Sequence, residues 1–111
     1  MSSEFSIAFP GVSQGKANRY AESLSSALRE TYSDVRIERR RTREDTQDFG
    51  ASLSLILGTA AATEIAKGIA AWLKRNSGAR IEISADGRVL AENLGENEAP
   101  EIARVISAHL K

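Results

Sequence analysis

The densest chemistry in this 111-residue chain is a basic run, RIERRRTR, which sets Arg36, Arg39, Arg40, Arg41 and Arg43 within eight residues. Guanidinium forks match phosphate oxygens, so such a run on a strand suits a nucleic-acid surface. A sheet that reads RNA also needs rings on which bases stack, and every strand predicted after the first lacks them. Glu38, Glu44, Asp45 and Asp48 lie close by, and four acids against five arginines leave Arg36 to Asp48 at about +1. Two readings stay open beside a solvated strand end: a protein-binding surface built on Arg39, Arg40, Arg41 and Arg43, or a weaker nucleic-acid one.

FPGVSQGK places Gly11, Gly15 and Lys16 between a predicted strand and a helix, in the manner of a phosphate-binding loop. The motif needs a glycine at position 10 and a hydroxyl at position 17, where Pro10 and Ala17 stand. The magnesium-binding hydroxyl is missing and the spacing fails. Glu44, Asp45 and Asp48 lack the calcium-loop spacing with its closing glutamate. Serines are plentiful, but no G-x-S-x-G exists, and the single His109 sits at the C-terminal end of a predicted helix. No catalytic, cofactor or metal site is expected.

Trp72 is the one remaining residue with interface chemistry, since tryptophan is enriched where binding energy concentrates. It lies in phase with Ile65, Ile69 and Leu73. Core packing and a partner anchor therefore compete for it. Ala60, Ala61, Ala62, Ala66, Gly68, Ala70 and Ala71 line the same helix and allow close backbone approach. Gly68 in mid-helix costs about 1 kcal/mol against alanine, which a tight packing contact would explain.

The elements that must position these residues follow from periodicity. Phe5, Ile7 and Phe9 alternate with small residues as a first strand, closed by Pro10-Gly11. Ala17, Tyr20, Ala21, Leu24, Ala27 and Leu28 share one helical face between residues 16 and 32. Alternation resumes over 35–43 with Val35 and Ile37 on one side, and the polar stretch 44–50 reads as a turn. ASLSLILG suits a strand or the start of a buried helix, and a strand ending at Gly58 is favoured. A helix spans 60–76, with Lys74 and Arg75 near its C-terminal end and Gly78 as its stop. Two strands follow around Asp86-Gly87, then a helix with Asn97 as its expected cap.

This order predicts an α+β chain: a ferredoxin-like βαββαβ sandwich with an added hairpin strand and C-terminal helix, in one domain over 1–111. Fifteen basic residues balance fifteen acidic ones, so no global field draws the chain to nucleic acid or anionic lipid. There are no cysteines, which excludes disulfides and thiolate sites. The start MSSEFSIAFPG has no secretory pattern, and Glu64 and Lys67 interrupt the apolar stretch 51–73. A cytoplasmic protein without a membrane partner is expected.

From Leu55 to Asn93 the sequence resembles small bacterial effector-associated components of conflict and signalling systems. A helix rich in small residues ends in Trp72-Leu73 and Lys74-Arg75, and a hairpin follows with Ile81, Ile83 and the Asp86-Gly87 turn. The resemblance implies an accessory role in bacterial defence or signalling, as an adaptor that recruits or regulates an effector by protein–protein contact. Such components carry no catalytic residues to transfer. A protein effector or a second copy is the partner this reading expects, with a small nucleic-acid-binding domain on Arg36–Arg43 as the alternative.

Overall fold

The computed structural model describes residues 2–32, 35–41 and 51–110. In chain order it contains strand β1 (Ser2–Ala8), helix α1 (Gln14–Thr31), strands β2 (Arg36–Arg41) and β3 (Ala51–Gly58), and helix α2 (Thr59–Arg75). Strands β4 (Ile81–Ala85) and β5 (Arg88–Leu94) and helix α3 (Ala99–Leu110) complete it. All eight elements occur in the predicted order, and ASLSLILG is a strand. The predicted turn over 44–50 lies outside the described residues.

Alternation explains the strands. Phe5 and Ile7 are buried while Glu4 is exposed, and Ile81, Ile83 and Ala85 are buried with half-buried residues between them. β3 settles as a strand because Leu53, Leu55 and Leu57 fall on one side, and Leu53 and Leu55 pair with both neighbours. Leu55 lies opposite Phe5 of β1 and Ile37 of β2. The five strands form one antiparallel sheet in the order β2-β3-β1-β4-β5. Helix α1 therefore carries the chain across β3, and α2 carries it across β1.

The helices follow from their apolar stripes. Ala17, Ala21, Leu24 and Leu28 of α1 are buried at spacings of three and four. Ser13 caps this helix, its hydroxyl accepting the Lys16 N–H at 3.2 Å. In α2 the buried set is Ala62, Ile65, Ala66, Ile69, Trp72 and Leu73, and in α3 it is Ile102, Val105 and Ile106. All of these join the sheet residues in one apolar cluster. Gly68 stands where α1 and α2 meet: a Cβ there would lie 2.9 Å from Leu28 Cδ2 and 3.0 Å from Tyr32 Cε2. The close approach expected from its sequence position is present.

Helix α3 starts later than Asn97 predicts. The Ile102 N–H bonds the Glu98 carbonyl at 3.0 Å, so Glu98 holds the cap position. Its carboxylate accepts from the Gly95 N–H at 2.8 Å and from Arg80 at 3.1 Å, which fixes the turn ahead of the helix. Asp86 and Gly87 both have positive φ, 55° and 76°, as the tight β4–β5 hairpin requires.

One core hydroxyl is left over. Ser25 of α1 is 3% exposed and its Oγ has no hydrogen-bond partner among the described residues. Ser25→Ala removes a desolvated polar group and improves helix propensity. It should raise unfolding free energy by about 1 kcal/mol, read from urea denaturation.

Candidate functional site

The three helices cover one face of the sheet, and the opposite face is the surface on which the strands present their polar residues. Strand register assembles it. Glu38 of β2 lies opposite Ser54 of β3, Ser54 opposite Ser6 of β1, Ser6 opposite Ser84 of β4, and Ser84 opposite Val89 of β5. One lateral row thus crosses all five strands, with three serines at its centre. Side chains this short leave the middle of the face low, and longer side chains rise around it.

Two of those neighbours are fixed by hydrogen bonds. The Ser54 hydroxyl, 2% exposed, donates to a Glu4 carboxylate oxygen. Arg36 Nε donates to Glu38 Oε2 at 3.1 Å, with Arg36 exposed and Glu38 half-buried. At the other end of the row Val89 is 53% exposed, the one large apolar side chain so open among the described residues. A shallow depression of about 530 Å³ lies between Glu4, Ser6, Ser84, Asp86, Arg88 and Val89.

A second depression, of about 420 Å³, is lined by Gly11, Gly78, Arg80, Glu82 and Glu92 among others. Partial burial, and then the charge of Glu92, raise the Glu82 carboxyl above its ordinary pKa. The folded chain therefore holds this proton to higher pH than the unfolded chain does. Stability falls as pH rises from the ordinary carboxylate range through the raised value, and the loss is complete above it. Glu82→Gln removes that loss. The variant should gain on the parent as pH rises out of the ordinary carboxylate range, with the two converging at acid pH, as thermal melts across pH will show.

The residues singled out from sequence are dispersed. Arg39, Arg40 and Arg41 lie on β2, at the edge of the sheet, opposite Leu53, Ser52 and Ala51. Arg43 lies outside the described residues. Trp72 is 1% exposed and belongs to the core, so its packing role is the one the fold uses and its ring offers no surface to a partner. Its Nε1 donates to Ser23 Oγ at 2.9 Å, and its ring meets Tyr20 edge-on at 5.4 Å and Phe9 at 6.0 Å. His109 is half-buried: its ring meets Phe5 edge-on at 5.2 Å, and Nε2 lies 3.3 Å from Asp86 Oδ2. It ties α3 to the hairpin turn.

Ring placement bears on nucleic acid. Phe5, Phe9 and Trp72 are buried, so among the described residues these rings are not on the open face where bases would stack. No group of three or more His, Asp or Glu among the described residues is placed to hold a metal ion. No described helix is long and apolar enough to cross a membrane.

Sequence reasoning missed two features. The serine row needs the register of four strand pairs, which no local pattern supplies. Arg29 of α1 donates from Nη2 to the Ile37 carbonyl of edge strand β2 at 2.7 Å, a link between residues on separate elements. Val89 is readable, because it follows the Asp86-Gly87 turn on an alternating strand. Comparison of the chain with protein-family models, curated proteins and solved structures finds no match.

Proposed function

We propose that this chain is a non-enzymatic accessory module that works in the cytoplasm by protein–protein contact with an effector of a bacterial conflict or signalling system. Its frame is read as ferredoxin-like, with β5 and α3 appended. The β2-β3-β1-β4 order and the two helical crossovers support that reading. The observation that carries the functional proposal is the sheet face that no described helix covers, with its serine row running from Glu38 to Val89. A shallow, mostly polar surface with one exposed apolar side chain suits a protein partner, whose contacts combine an apolar centre with many hydrogen bonds. The nucleic-acid alternative on Arg36–Arg43 has less support, because Arg36 is paired with Glu38 and the buried rings cannot stack on bases.

Tagged chain should recover one effector-like protein at stoichiometric level from its native bacterium. Val89→Arg changes only an exposed side chain and should keep the fold while reducing recovery at least about tenfold, the effect of placing an unpaired charge in an interface. Circular dichroism checks the fold and mass spectrometry the partner. Recovery of nothing, or of nucleic acid that salt releases, overturns the adaptor reading.

A further inference from the structure

The two edges of the sheet differ. Edge strand β5 is irregular: its register against β4 shifts twice, between Ile81 and Ile83 and again between Ile83 and Ser84. Bulges of this kind turn an edge away from further pairing. Edge strand β2 has no such shift, and Arg36 to Arg41 pair with β3 one for one. A regular edge can accept another strand. Near its start, the Ile37 carbonyl is already bonded to the exposed Arg29 side chain.

From this we infer that β2 is a self-association edge at which two copies pair antiparallel about a two-fold axis through Ile37, with Arg29 as the gate. Charge complementarity selects this register. With Ile37 opposite its own copy, Arg36 of each chain faces Glu38 of the other, so the Arg36–Glu38 pair seen within one chain becomes a four-membered ring of alternating charge. Shifting the centre by one residue, to Glu38, sets Glu38 against Glu38 and Arg36 against Arg40, which is repulsive. Of these two registers only the first is favourable. Pairing needs the Ile37 backbone, so Arg29 must swing away, and its bond keeps the single chain from recruiting strands indiscriminately. The dimer would be one continuous sheet of ten strands with both open faces on the same side.

This deepens the self-association side of the contact reading above, and the two can fail separately. Sedimentation velocity over a concentration series tests it on the full chain. Wild type should pass from monomer to dimer, and Arg29→Ala should dimerise at lower concentration. Arg36→Glu and Glu38→Arg each place like charges opposite one another and should weaken dimerisation at least about tenfold. Both positions are on the surface, so the fold should persist, and circular dichroism checks this. The deciding sample is an equimolar mixture of these two single variants. The Arg36→Glu chain then presents acids at both positions of the ring, and the Glu38→Arg chain presents bases at both. Each acid faces a base across the axis, and a heterodimer should form. A purely intrachain effect of the lost ion pair would not be rescued by mixing. Wild type and Arg29→Ala that both stay monomeric, single variants that dimerise like wild type, or a mixture without heterodimer would each overturn the inference. A monomer that still captures the effector would do so while leaving the adaptor reading intact.

Discussion

Trp72→Ala should cost about 4 kcal/mol of folding stability, the largest loss expected from any single truncation in this chain. The ring is almost wholly buried between α1, α2 and the end of β1, where it meets Tyr20 and Phe9 at centroid distances of 5.4 and 6.0 Å. Its removal forfeits apolar burial, both ring contacts and the Nε1 bond to Ser23, and it leaves a cavity that helices anchored on a sheet cannot fully close. A domain of this size has about 5–15 kcal/mol in total, so the variant should be partly unfolded at 37 °C. Because the chain has one tryptophan, its unfolding must be followed by circular dichroism rather than by indole fluorescence. Trp72→Phe keeps an aromatic body and should lose much less. A stable Trp72→Ala variant would contradict this packing. Loss of a partner by Trp72→Ala would therefore report unfolding, and Val89→Arg is the sounder probe of contact.

Gly68→Val should be the second most damaging change, at about 3 kcal/mol. Even a Cβ at this position lies 2.9 Å from Leu28 Cδ2 and 3.0 Å from Tyr32 Cε2, and valine adds two methyl groups beyond it. Leu28 is 1% exposed, so its side chain can yield only by displacing packed neighbours or by parting α1 from α2. Gly68→Ala carries the same first contact but gains about 1 kcal/mol of helix propensity, so its net loss should be less than half that of valine. Paired urea titrations of the two variants measure the difference. Equal stability of Gly68→Val and the parent would show that the helices are not closely apposed there.

Local patterns in the sequence were enough for the elements. Alternation at Phe5 and Ile7, the three–four spacing from Ala17 to Leu28, and the Asp86-Gly87 pair each encode a conformation through steric rules that act over a few residues. The same spacing placed Trp72 in phase with Ile65 and Ile69 but left its exposure open. A helical stripe of this composition faces whatever lies beside it, whether a sheet or a second chain. Asn97 failed as the α3 cap because Glu98 gained more partners: the Gly95 N–H and Arg80 lie within reach only once the chain has turned.

Composition and periodicity thus determined the class of the protein, the eight described elements and most of the described core, because burial and backbone geometry are imposed locally. The tertiary structure alone decided the rest. It buried Trp72, laid Ser54, Ser6 and Ser84 in one row from Glu38 to Val89, and brought Arg29 onto Ile37. These outcomes depend on strand order and register, which join residues tens of positions apart. Sequence spacing carries no measure of such distances, whereas an antiparallel ladder fixes them to within one residue, since a slip of one would turn every core side chain toward solvent.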